Sequence, residues 1–210
     1  MNAPRLPLVV LISGRGSNMQ AIVDAARDPA YPAEVRAVVS NEPDAAGLEL
    51  ARRAGIETRV LDHRRYARRE AFDAALADLV AGFRPGLVVL AGFMRVLTGA
   101  FVARFAGRLI NIHPSLLPDF PGLDTHQRAI DAGVAEHGAT VHFVGAELDA
   151  GPIIIQARVP VLPDDDAERL AARVLAEEHR ILPEAIRLFA EGRLEIRGER
   201  VLIDGEEVGA

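Results

Sequence analysis

Asn111 and His113 stand two residues apart where the apolar run Leu109, Ile110, Ile112 gives way to Pro114-Ser115-Leu116-Leu117-Pro118. If that run is a strand, alternate side chains share one side of a sheet, so an amide donor and an imidazole can meet one substrate atom. That makes the stretch the best candidate for a reacting centre. The same octapeptide also reads as a turn punctuated by Asn and Pro, with an incidental His. Asp149, in the segment Gly145 to Gly151, is the carboxylate of interest. Close to His113 it would favour the imidazolium and prepare a general acid; alternatively it serves only the turn before Gly151.

A second chemical signal is Gly14-Arg15-Gly16-Ser17-Asn18, which follows an apolar run and precedes a helical one. Free backbone N–H groups and the positive end of a helix dipole make phosphate the natural ligand there. The dinucleotide fingerprint would need Gly at position 19, where Met19 stands, so a nicotinamide cofactor is disfavoured. Ser17 or Asn18 is expected to cap the helix. Asp164-Asp165-Asp166 could be a metal cluster, but Asp165 with Glu168 also fits a helix capping pair, which we prefer. His137 and His142 have no acid at ligand spacing and read as strand or turn residues.

Composition narrows the chemistry. All 24 basic residues are Arg, which leaves no lysine for a Schiff base, a pyridoxal phosphate anchor or a phosphate-loop role. With no Cys there is no disulfide, thiolate nucleophile or thiolate-held metal. His, Asp, Glu, Asn, Ser and backbone groups must do the work. A net charge of −6 argues against a nucleic-acid or anionic-membrane surface and favours small polar substrates. The 210 residues suit one α/β domain with a small C-terminal appendage, and no signal-type segment opens the chain, so a cytoplasmic protein is expected.

The elements that must position these residues follow from periodicity. The continuous apolar run Leu8–Ile12 reads as a strand buried on both faces, Val35–Ser40 and Thr58–Leu61 as a second and a third strand, and Leu87–Leu90 as the most apolar strand. Between them, helical spacing covers Met19 to Arg27, Ala45 to Ala54 and Arg68 to Ala81, and a short helix spans Gly99 to Phe105. The alternation predicts an α/β fold, a Rossmann-like open, mostly parallel twisted sheet with flanking helices. After a short helix from His126 to Ala132, the runs Ala139–Val144 and Pro152–Val159 predict antiparallel additions in the C-terminal half. A long helix follows, which Pro183 should kink or break near Ile181-Leu182. Leu194–Ile196 and Val201–Ile203 then predict a terminal hairpin. One domain over 1–210 is expected, with a phosphate-binding half to about residue 100, a catalytic half to about 192 and the hairpin beyond.

Taken in order, Ser13-Gly14-Arg15-Gly16-Ser17-Asn18, Ala91-Gly92-Phe93-Met94-Arg95, Asn111-Ile112-His113-Pro114-Ser115-Leu116-Leu117-Pro118, Pro121-Gly122-Leu123 and His137-Gly138-Ala139-Thr140-Val141-His142 cover nearly the whole chain. Together they resemble the folate-dependent glycinamide ribonucleotide (GAR) formyltransferases of purine biosynthesis. The resemblance implies a catalytic set of Asn111, His113 and Asp149, with no metal. It implies GAR phosphate on Gly16, Ser17 and Asn18, and ribose contacts from the turn Leu175, Ala176, Glu177, Glu178, with Glu178 accepting from a hydroxyl. 10-Formyltetrahydrofolate, the co-substrate, would lie against Met94, Arg95, Val96 and Leu97, Asn111, and the loop Gly145, Ala146, Glu147, Leu148, Asp149, with Arg69 assisting. A monomer or homodimer is implied. Asp119 and Asp124 depart from the pattern, where a basic or neutral residue and a His are expected.

Related readings stay in view. A methionyl-tRNA formyltransferase shares the His-Pro-Ser loop but should carry a further C-terminal domain and a basic surface. A formyltetrahydrofolate deformylase should carry an extra N-terminal domain. A non-catalytic nucleotide-binding module would keep the glycine loop without needing Asn111, His113 and Asp149 together.

Overall fold

The computed structural model describes residues 4–207. The elements run β1 (Leu6–Ile12), α1 (Ser17–Ala25), β2 (Ala33–Ser40), α2 (Ala46–Arg53), β3 (Glu57–Val60), α3 (Arg69–Gly82), β4 (Leu87–Leu90), α4 (Gly99–Arg104) and β5 (Leu109–His113). They continue with α5 (Thr125–Asp131), β6 (Glu136–Phe143), β7 (Ile153–Pro160), α6 (Ala167–Ala190), β8 (Leu194–Arg197), β9 (Arg200–Ile203) and β10 (Glu206–Glu207). The fold is α/β: a seven-stranded, mostly parallel sheet of order β3-β2-β1-β4-β5-β6-β7 with flanking helices, and a small three-stranded sheet, β10-β9-β8. The chain divides into two compact units, one ending at Ile110 and one beginning at Asn111.

In the first unit β1 pairs in parallel with both β2 and β4, and β2 with β3. Val9 to Ile12 and Leu87 to Val89 are fully enclosed, as continuous apolar strands require when both faces are covered. Phe72, Leu76 and Val80 recur on one face of α3 and are buried. The carboxyl ends of β1 and β4 open into the loops 13–16 and 91–98, where an open α/β sheet places its ligands.

Expected caps and breaks are revised here. Neither Ser17 nor Asn18 caps α1: the N-cap is Gly16 at φ 77, with no side-chain cap bond, and both residues lie in the first turn. The cause is a close approach, since a Cβ on Gly16 would come within 2.6 Å of the Gly47 Cα at the start of α2. Only glycine tolerates both the left-handed φ and that contact.

In the second unit β6 and β7 run antiparallel, with Val141 opposite Ile155. Gly138 is forced here, because a Cβ would sit 1.9 Å from the Ala157 carbonyl oxygen on β7. Pro183 does not break α6, which runs through it from Ala167 to Ala190. Leu170, Val174, Ile181, Leu182, Ala185 and Ile186 form one buried stripe on both sides of the proline, so tertiary burial outweighs the lost helix hydrogen bond. The capping pair is also revised: Asp166 caps α6 by accepting from Arg169 N at 2.8 Å. Asp165 instead accepts two bonds from Arg173, at 2.7 and 2.9 Å, and one from Leu162 N. That guanidinium holds the Asp165 carboxyl down at about 2. The hairpin β8–β9 forms as expected, and Glu206-Glu207 adds a third strand.

Candidate active site

Asn111 and His113 both lie on β5, two residues apart, at the end of the strand. His113 is buried, and its two ring nitrogens face different acceptors. Nε2 lies 3.1 Å from the Phe120 carbonyl oxygen, which only accepts, so Nε2 carries the hydrogen and donates. Nδ1 lies 3.5 Å from Asp149 Oδ2. Each ring nitrogen thus has an oxygen acceptor within reach, the carbonyl at Nε2 and the carboxylate at Nδ1.

Asp149 reaches this position from an unusual backbone. Its φ of 53 is left-handed, a region where Asp and Asn are among the few tolerated residues besides glycine. Its Oδ2 also accepts from Gly122 N at 2.9 Å, which ties the loop 145–151 to the segment Pro121-Gly122-Leu123. Just beyond it, Gly151 packs against the end of β6, where a Cβ would lie 1.8 Å from the Phe143 carbonyl oxygen.

His142 is the neighbour that sequence reasoning treated as an ordinary strand residue. Its Nδ1 donates to the Phe143 carbonyl oxygen at 2.9 Å, so its Nε2 is the acceptor for the Asn111 amide at 3.2 Å. Burial pushes the His142 pKa down, in keeping with this neutral tautomer. One Asn111 N–H is thereby spent, the amide cannot flip, and its second N–H is left for another acceptor. His142 was hidden because its position on β6 is ordinary; only the fold brings it to Asn111.

The loop after His113 is held from beneath. Thr140 on β6 accepts from Leu117 N at 3.1 Å and from Gln156 at 3.0 Å, and donates to the Ser115 carbonyl at 2.7 Å. Gln156 also donates to the Leu117 carbonyl at 2.8 Å. Ser115 donates to the Asp119 carbonyl at 2.6 Å, and Thr125 to the Pro114 carbonyl at 2.7 Å. Asp119 thus closes a turn, and Asp124, at φ 55, is the N-cap position of α5. Leu175, Ala176, Glu177 and Glu178 make one turn of α6, with Glu178 buried and Glu177 paired to Arg180 at 2.7 Å. Of the loop residues Gly145 to Leu148, Ala146, Glu147 and Leu148 are exposed, Leu148 at 58%.

The first unit carries the other expected residues. Gly16, Ser17 and Asn18 form the entry to α1. Arg69 is the exposed first residue of α3. Met94 and Val96 present 70% and 52% of their surface, far more than apolar side chains usually do, while Arg95 lies over the Phe72 ring at 5.3 Å. Among the described residues no group of three or more His, Asp or Glu is placed to hold a metal ion. Among them, too, no helix is long and apolar enough to cross a membrane.

His137, on β6, is buried with its ring edge-on to His126 and Phe120. Burial, reinforced by the neighbouring His126, pushes its pKa from 6.5 down to about 4. The unfolded chain therefore binds the extra proton first. Stability from this residue is complete above about pH 6.5 and is lost as the pH falls toward 4. The difference amounts to about 3 kcal/mol. Urea unfolding between pH 7.5 and 4 should show this decline, and His137→Gln should flatten it. Equal pH slopes in the two proteins would remove the assignment.

Comparison with known proteins now bears on this geometry. Residues 6–186 match the formyl transferase family. The chain is 51% identical over 201 residues to phosphoribosylglycinamide formyltransferase of Escherichia coli strain K12, covering 96% of this chain and 95% of that one. It is 45% identical over 199 residues to the enzyme of the same name from Haemophilus influenzae, covering 95% and 94%. Among solved structures, glycinamide ribonucleotide transformylase 1 from Symbiobacterium toebii superposes with a TM-score of 0.93 at 54% identity, covering 95% of this chain and 94% of that one. With the family matched over most of its length and relatives this similar, the chain belongs to the formyl transferase family.

Proposed function

We propose that the protein transfers the formyl group of 10-formyltetrahydrofolate to the glycyl amine of GAR, giving N-formyl-GAR and tetrahydrofolate, in the cytoplasm and as a step of de novo purine biosynthesis. The observation that carries the reading is His113 facing Asp149, with Asn111 two residues away on the same strand, in a chain so similar to named GAR formyltransferases.

The nucleophile is the substrate's own amine, so no enzyme nucleophile is needed, in keeping with a chain without Cys or Lys. Attack forms a C–N bond at the formyl carbon and moves an electron pair onto its oxygen. The free Asn111 N–H supplies a donor to that oxyanion, and the positive charge of a His113 imidazolium nearby stabilises it further. As the intermediate collapses, the bond from carbon to folate N10 breaks, N10 gains a proton and the former amine loses one. His113 provides the proton, and Asp149 holds the imidazolium charge and receives a proton through water. His142 keeps the Asn111 amide turned the right way.

Substrate contacts follow the same reading. The phosphate of GAR falls to Gly16, Ser17 and Asn18, whose backbone N–H groups start α1. Its ribose falls to Leu175, Ala176, Glu177 and Glu178. The folate falls to Met94, Arg95, Val96 and Leu97, to Asn111 and to Gly145, Ala146, Glu147, Leu148 and Asp149, with Arg69 at its acidic tail. The exposed apolar Met94 and Val96 suit a flat heterocycle.

Purified protein treated with a chelator should convert GAR and 10-formyltetrahydrofolate to formyl-GAR at a steady rate, followed by tetrahydrofolate release. Release of free formate instead, or transfer only to a charged tRNA, would replace this reading with one of its relatives.

A further inference from the structure

In the segment Gly92 to Thr98, Phe93 is buried but Met94 and Val96 are largely exposed, so burial alone does little to hold the backbone at those two residues. Its far end is fixed by Asp73 on α3, which accepts from Thr98 N at 2.6 Å, and by Arg95 stacking on Phe72. Its near end is fixed by the buried Phe93 and by Ser13. Ser13 N donates to the Gly92 carbonyl at 3.0 Å, and Ser13 Oγ accepts from Met94 N at 2.8 Å. The hydroxyl hydrogen goes to Asn41 Oδ1 at 2.5 Å. Asn41, buried at the end of β2, is itself oriented by donating to Glu42 Oε1 at 3.2 Å. Ser13 immediately precedes the glycine loop, yet its side chain faces away from anion chemistry: both of its hydrogen-bonding roles are taken by the protein.

We infer that Ser13, oriented by Asn41, is a positioning residue that presents Met94 and its neighbours to the folate. The inference rests on the function proposed above and adds to it a residue that touches neither substrate. Without the hydroxyl, Met94 N loses its acceptor, while the Ser13 N bond to Gly92, the buried Phe93 and the far anchors remain. The loss of one neutral hydrogen bond, about 1 kcal/mol, corresponds to a 5- to 10-fold change in an equilibrium constant. Because the lost bond is to the folate segment and not to the loop Gly14 to Asn18, the change should appear in one substrate alone.

The test is steady-state kinetics with each substrate varied in turn, for the wild type, Ser13→Ala and Ser13→Thr. Ser13→Ala should raise the KM for 10-formyltetrahydrofolate 5- to 10-fold, leave the KM for GAR within twofold and leave kcat within threefold. Ser13→Thr, which keeps the hydroxyl, should restore the folate KM. An unchanged folate KM, equal rises in both KM values, a loss confined to kcat, or no rescue by Thr each overturns the inference while leaving the proposed function standing. If circular dichroism shows that Ser13→Ala does not fold, Asn41→Ala takes its place under the same criteria, with a 2- to 4-fold rise expected. A wild-type protein that does not turn over the pair removes both the function and this inference.

Discussion

Asp149→Asn should lower kcat/KM for formyl transfer by about a thousandfold and leave the protein folded. The substitution isolates charge. Asn tolerates the left-handed φ of 53 as well as Asp does, so the loop pays little for the change. Its amide oxygen can still accept from Gly122 N, preserving the contact that Asp149 makes at 2.9 Å. What disappears is the negative charge facing His113 Nδ1 at 3.5 Å, and with it the partner for an imidazolium. His113→Ala should cost at least as much, since it removes the proton carrier and the positive charge beside the oxyanion together. Steady-state rates with GAR and 10-formyltetrahydrofolate, paired with thermal melts, check both. Turnover within tenfold of the wild type in a folded Asp149→Asn protein would end the catalytic assignment of this carboxylate.

Gly151→Ala should have the largest effect on stability, about 3 kcal/mol or more. An added methyl carbon would lie 1.8 Å from the Phe143 carbonyl oxygen, 2.8 Å from its carbon and 3.1 Å from Gly145 N. All three atoms are backbone, so no side chain can swing aside. The strands β6 and β7 close at this point, where Phe143 N donates to the Pro152 carbonyl at 2.9 Å. Relief therefore means opening the hairpin or moving the loop that carries Asp149. Gly145→Ala is the control: its Cβ would meet Gly151 Cα at 3.6 Å, an ordinary contact. Urea unfolding of the two variants should separate them clearly, and a Gly151→Ala protein as stable as Gly145→Ala would refute the packing argument.

Much of the fold was legible because it depends on local periodicity. Leu8–Ile12 and Leu87–Leu90 are apolar without interruption, and only a strand covered on both faces asks for that. The relation of Asn111 to His113 followed from strand parity alone. The nearness of Asp149 did not, since it depends on a left-handed residue in a loop closed by Gly151, and neither shows in spacing. His142 does lie on a strand, as its setting suggested, but its partner was hidden: one His on a strand looks like any other until the fold brings it to the Asn111 amide. The local signals that failed, Pro183 as a break and Ser17 or Asn18 as a cap, were overruled by a buried helix stripe and by the contact of Gly16 with Gly47. Tertiary packing is the part that short-range reading lacks.

The clamp that His142 places on Asn111 has a stereochemical consequence. A planar formyl group offers two faces to an amine, and attack makes its carbon a centre with four different substituents. An amide whose orientation is fixed by a ring nitrogen at 3.2 Å offers its remaining N–H in one direction only. Under the mechanism proposed here, the oxyanion forms toward that hydrogen, and with the folate and GAR each held in one site the amine approaches from one face. The product is planar again and keeps no trace of the choice. A tetrahedral mimic of the adduct, resolved into its two enantiomers, would reveal it: one hand should bind and the other should not.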